Sequence, residues 1–160
     1  MLTSLKIKLL LIIYLLLSSC AGAVIDIKDK SLEASYYKYL KELEIRGIEH
    51  DNPHILVRVK QIDRGTAVGL CWLGDSPVGN RMCVISIHED YDEYNRELIF
   101  FHELTHCLFD LREHYEYYDE SEFSRSLFNA YYGYGDSSEF HEYMKRKLFD
   151  HDIPLMLKNK

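Results

Sequence analysis

The sequence predicts an α+β domain, on three observations. Apolar residues recur with helical spacing near the start, in the middle and near the end of the chain. Between the first two of these segments lie three short runs rich in β-branched residues, bounded by Gly, Pro, Asn and Asp. No repeat, low-complexity block or linker separates them, so strands and helices share one core.

The elements follow in order. Ser31 to Arg46 carries Leu32, Tyr36, Tyr39, Leu40 and Leu43 on one helical face, and Gly47 can take the left-handed conformation that stops the helix. Pro53 forbids helix, and "HILVRVKQI" reads as a first strand. Asp63-Arg64-Gly65 signals a turn, so "TAVGLCWL" is expected to be the hairpin partner of that strand. "GDSPVGN" is a loop and "RMCVISI" a third strand. Asp90 or Asp92 can cap a helix running from about Glu93 to Phe109, with Leu98, Phe101, Thr105 and Leu108 on its core face. A Tyr-rich irregular stretch leads to Ser137, and Ser138 to Phe149 forms the last helix, with Phe140, Met144 and Leu148 spaced by four.

The first residues stand apart. Lys6 and Lys8 precede an apolar run from Leu9 to Leu17, then small residues and Cys20. This is the layout of a secretory signal, and the run is short for a membrane span. Leu17-Ser18-Ser19-Cys20 also resembles the lipobox of bacterial lipoproteins, in which the Cys becomes the lipidated first residue. The alternative is an ordinary signal with an incidental Cys. The expected organisation is therefore a lipoprotein signal peptide over residues 1–19 and a single domain over 20–160. Ala21, in place of an Asp, resembles the outer-membrane sorting pattern, which places the chain on the periplasmic face of the outer membrane.

The formal net charge of −7 becomes more negative when Lys6 and Lys8 are lost. An acidic chain does not suit the phosphates of nucleic acid, so no nucleic-acid partner is expected. Beyond the signal there is no second apolar span, which leaves a lipid on Cys20 as the expected membrane attachment of a monomer. Cys71, Cys83 and Cys107 remain, and in an oxidising compartment two of the three should pair.

The middle helix carries His102-Glu103-Leu104-Thr105-His106. Residues four apart on a helix project from one face, about 6 Å apart along the axis, so both imidazoles can share an ion. Zn²⁺ accepts neutral His nitrogens at about 2.0–2.1 Å. An ion so held polarises a carbonyl and activates water, and Glu103 on the adjoining surface is the base that takes the proton. A chance occurrence of the pattern is the alternative. Its position on a helix directly after a strand counts against chance.

"ELIFFHELTHCLFDLREH" resembles the Phe-His-Glu-Leu-Gly-His-Cys segment of a family of small bacterial zinc metallopeptidases, many of them lipoproteins, which look like metzincins in miniature. The likeness extends to "RGTAVGLCW", to "CVISIHEDYDEYNRELI" and to "SRSLFNAYYGYGDSSEFHEYMKRKLF". It implies a metzincin-like minimal zincin: an N-terminal helix, a small three-stranded sheet, the active-site helix, an irregular Met-turn-like loop and a C-terminal helix. It implies one Zn²⁺ on His102, His106 and a third ligand, Glu103 as the catalytic base, and a peptide or protein substrate aligned along the "CVISI" strand as the sheet edge. It also puts cysteines at both Cys71 and Cys107, which suggests a bridge between them. Cys71 with Cys83, on neighbouring strands, is the rival pairing.

The sequence departs from the metzincin pattern in two places. The position of the third His, six residues after His106, is Arg112, and the position of the bending Gly is Phe109. The next imidazole is His114, the candidate third ligand. For it to reach the ion the helix must stop near Phe109 or Asp110, and Asp tolerates the left-handed conformation better than most residues. Asp110, Glu120 and Glu122 are the alternative ligands. In the Met-turn, Phe128 replaces the Met and Ala130 the Pro, while Tyr131 stands where some metzincins place an oxyanion-stabilising Tyr. His50, His54, His88, His141 and His151 read as surface or capping residues. The readings that compete are an envelope-tethered zinc peptidase, a lipoprotein that keeps the metal without catalysis, and a binding or structural module with a chance motif.

Overall fold

The computed structural model describes residues 25–62, 68–76, 79–111 and 138–158. It is an α+β fold with a small mixed sheet. Strand β1 (Ile25–Ile27) leads into helix α1 (Lys30–Ile45), then β2 (His54–Lys60), β3 (Gly69–Asp75), β4 (Arg81–His88) and helix α2 (Glu93–Phe109). Helix α3 (Ser138–Lys147) continues through a π-helical turn at Leu148–Asp152 into helix α4 (Ile153–Lys158).

The helix ends follow local chemistry. The Asp29 carboxylate accepts the Ser31 N–H at 3.0 Å and starts α1. Gly47, at φ 63°, ends it: the Gly47 N–H donates to the Glu44 carbonyl and the Ile48 N–H to the Leu43 carbonyl. Of the two candidate caps for α2, Asp92 is used, accepting the Asn95 N–H at 2.8 Å. The last helix runs beyond Phe149. Pro154 has no N–H to donate, and the π turn just before it, where the Ile153 N–H reaches back to the Leu148 carbonyl, carries the helix across that gap.

The sheet corrects three expectations. It has four strands rather than three, in the order β1-β2-β4-β3. The extra strand, β1, is only three residues long; its signal is the alternation of Ile25 and Ile27 about Asp26. Strands β2 and β3 are not a hairpin. β2 pairs parallel with β1 on one side and with β4 on the other, while β3 pairs antiparallel with β4. Consequently the "CVISI" strand is central, and β1 and β3 are the edges of the described sheet. Cys83, Ile85 and Ile87 are fully buried on one face of β4, which suits a strand hydrogen-bonded on both sides. β3 contains Gly69, Gly74 and a half-exposed Trp72, a composition that suits a margin.

Helix α2 lies against β3 and β4 and is the most buried element, from Leu98 to Phe109. Its expected core residues Leu98, Phe101, Thr105 and Leu108 are all buried. Tyr39 of α1 packs edge-on against Phe101 and Phe149, and its hydroxyl lies 2.6 Å from the Thr105 hydroxyl. Thr105 in turn donates to the Phe101 carbonyl at 2.7 Å. A buried aromatic cluster thus fixes one side of α2 and leaves the other to the site. Among the described residues no helix is long and apolar enough to cross a membrane.

Candidate metal centre

His102 and His106 lie one turn apart on α2, and their Nε2 atoms stand 3.1 Å from each other. Two nitrogens bound to one tetrahedral zinc at about 2.05 Å would be roughly 3.3 Å apart. The imidazoles therefore fit a shared ion. Both rings are buried, at 5 % and 6 % exposure, and so is Glu103, at 7 %. Candidate ligand atoms of the three lie within 4.8 Å of one another. The Glu103 Oε1 is 4.0 Å from His102 Nε2.

The backbone after His106 sets its ring. Helix α2 ends at Phe109, and Asp110 adopts the left-handed φ 53°, ψ 47°. Both the Asp110 and Leu111 N–H groups reach back to the His106 carbonyl. The reversal brings the Leu111 carbonyl to 2.9 Å from His106 Nδ1. With Nδ1–H donating there, the Nε2 lone pair is left for a metal, an arrangement that orients metal-binding His. Arg81 holds the turn from outside, pairing with Asp110 and, at 2.6 Å, with Asp51.

Glu103 faces the edge strand. A Cβ at Gly69 would come within 2.6 Å of Glu103 Oε1 and of Ile99 Cγ2, so only Gly allows β3 to lie this close. Burial pushes the Glu103 carboxyl up to about 8. A dication beside it would draw that value down again.

Three sulfurs form a second cluster. Cys83 and Cys107 are bonded, joining β4 to α2, and the Cys71 Sγ is 3.3 Å from each. This corrects both expected pairings, Cys71 with Cys107 and Cys71 with Cys83. The reason lies in the register. Cys83 lies on the central strand under α2, whereas Cys71 stands opposite Ile85, two residues out of step with Cys83. His141, expected at the surface, is instead buried at 5 % exposure, where α3 meets α2 and its ring contacts Tyr94.

The structure thus brings together His102, Glu103 and His106 and ends the helix at Phe109. Sequence reasoning missed the Leu111 carbonyl, the Arg81 clamp and Gly69. Only Gly69 had a readable signal, an isolated glycine within a strand pattern. His114, Glu120, Glu122, Phe128, Tyr131 and Cys20 lie outside the described residues. Comparison with known proteins finds no matching family model, no matching curated protein and no matching solved structure.

Proposed function

We propose that the chain is a zinc-dependent peptidase, tethered to a bacterial cell envelope through a lipid on Cys20 at the periplasmic face of the outer membrane. The observation that carries the reading is the approach of the His102 and His106 Nε2 atoms to 3.1 Å beside a buried carboxyl. His114 completes the ligand set in this reading. The helix end at Phe109 supports it, because a straight helix would carry His114 about 12 Å beyond His106. In this reading the fold is that of a metzincin-like minimal zincin, with Phe128 at the sequence position of the Met.

Zinc, when bound, supplies Lewis-acid polarisation of a peptide carbonyl and activation of water. The protein's own groups do the rest. Glu103 accepts a proton at its carboxylate and returns it to the leaving amine. Its burial against Gly69 and Ile99 keeps competing water off the carboxylate. The Leu111 carbonyl holds His106 in one tautomer. Tyr131 is the residue this reading offers for stabilising the developing oxyanion. Of the two edges of the described sheet, β1 and β3, β3 is the one beside Glu103, so an extended peptide or protein segment adds there, to β3 rather than to β4. The domain over 20–160 works as a monomer.

The test is hydrolysis of a mixed peptide pool together with the zinc content of the same samples. Glu103→Gln should lose about 10²–10⁴ of the rate while retaining its zinc. Cleavage at the wild-type rate in that variant would remove Glu103 from its role. A wild-type chain that holds zinc and cuts nothing would instead be the non-catalytic metal-binding lipoprotein. Cys20→Ser should abolish incorporation of a labelled acyl chain, and unchanged labelling would overturn the tether.

A further inference from the structure

Three sulfurs from three different elements converge: Cys71 on β3, Cys83 on β4 and Cys107 on α2. Cys83 and Cys107 are bonded, and Cys71 is a thiol 3.3 Å from both. A free thiol against a disulfide has the composition of an exchange site. We infer that Cys71, Cys83 and Cys107 form an internal thiol–disulfide exchange site, in which Cys71 displaces Cys83 from Cys107 and moves the bridge from β4–α2 to β3–α2.

The step balances within the chain. The Cys71 thiolate, which rests equidistant from the two bonded sulfurs, turns into line with the Cys83–Cys107 bond and attacks the Cys107 sulfur; the Cys71–Cys107 bond forms, and the Cys83–Cys107 bond breaks. Cys83 leaves as thiolate and takes up the proton that Cys71 gave up. Nothing is oxidised or reduced overall, so no external reagent is required. Register selects Cys107 as the sulfur attacked. Cys71 and Cys83 are diagonal neighbours on antiparallel strands, where Cα atoms are typically about 7–8 Å apart. That exceeds the usual span of a disulfide, about 4.4–6.8 Å. Burial, with Glu103 adding to it, pushes the Cys71 thiol up to about 12, which keeps exchange slow at neutral pH and leaves the two bridged forms separable.

The consequence is mechanical. Cys71 lies two residues from Gly69 on the same side of β3, and Gly69 lies against Glu103. With the bridge on Cys83 the edge strand is held by its ladder to β4; with the bridge on Cys71 it is tied covalently to the helix that carries Glu103. Any effect of this on hydrolysis rests on the peptidase reading; the exchange itself does not.

The three cysteines fall on separate tryptic peptides, Gly65–Arg81, Met82–Arg96 and Glu97–Arg112, so each pairing has its own mass. The full chain is held at pH 9 without oxidant, quenched in acid over a time course, alkylated in denaturant and digested. Expected is a linked Met82–Arg96/Glu97–Arg112 pair that declines while a Gly65–Arg81/Glu97–Arg112 pair rises to within about tenfold of it. A single pairing unchanged with time overturns the inference, and so does transfer of the bridge to Cys71–Cys83. Cys83→Ser, treated with glutathione disulfide, should form the Cys71–Cys107 bridge without the competing partner; two free thiols in that variant would also overturn it. Both readouts are masses, so a chain that proves not to be a peptidase leaves this result standing.

Discussion

Helices α1 and α2 both stop on a residue in the left-handed region, and the surroundings of the two ends differ. Gly47 ends α1 at φ 63° with nothing within 4 Å of where a Cβ would stand. The turn there serves only to release the chain. Asp110 ends α2 at φ 53°, a conformation that costs most residues with a side chain about 1–2 kcal/mol and Asp less. Here the strain is offset by an ion pair to Arg81 and turns the chain so that Leu111 meets His106. One end is punctuation; the other positions His106, a candidate ligand. A strained backbone beside convergent imidazoles is thus a better pointer to the site than the helix that carries them.

Substitutions can break this contrast, beginning with the largest effect. His114→Ala should weaken zinc binding by more than about 100-fold, beyond the 10–100-fold typical of an outer partner. Glu113→Gln, Asp110→Asn and Glu122→Gln should leave most of it. Competition with a chromogenic chelator reads the difference, and wild-type affinity in His114→Ala would move the third ligand to a carboxylate. Next, Asp110→Ala should lower zinc affinity about 10–100-fold, since the Leu111 carbonyl would no longer be held on His106. Asp110→Gly keeps the backbone conformation and should bind zinc as wild type does. If both variants bind alike, the turn is punctuation after all. Gly47→Ala should cost about 1–2 kcal/mol in denaturant unfolding and change zinc affinity not at all.

A pH profile sharpens the same contrast, because Glu103 on α2 is a buried carboxyl beside the candidate site. Glu103 is raised from 4.5 to about 8 by burial. In that window the native state binds more protons than the unfolded state, so stability falls as pH rises from about 4.5 to 8. Chelator-treated protein should lose stability across that range, and Glu103→Gln should flatten the loss. Zinc should remove it by drawing the carboxyl down. The smallest effect is expected from Tyr39→Phe, on the aromatic side of α2: about 1 kcal/mol for one buried hydrogen bond, with Thr105 still bonded to Phe101 and zinc binding unchanged.

Helix positions were legible because period and caps are local. Asp92, Gly47 and the stop at Phe109 could all be read from neighbouring residues. Strand pairing was not, because β2 and β4 meet across 20 or more intervening residues, and nothing in "HILVRVK" states whether its partner is the next strand or the one after. The pairing of His102 with His106 was legible for the same reason as the helices, being one turn of α2. The disulfide, the Gly69 contact and the Arg81 clamp depend on register between elements, which a period-two pattern leaves open.

The central claim is that His102 and His106 share one zinc ion. Zinc content of the purified chain by mass spectrometry, after dialysis against a weak chelator, tests it most directly. The account predicts about one zinc per wild-type chain and per Glu103→Gln chain, and none in His102→Ala or in His106→Ala. Full zinc occupancy in either histidine variant, or none in the wild type, would contradict it.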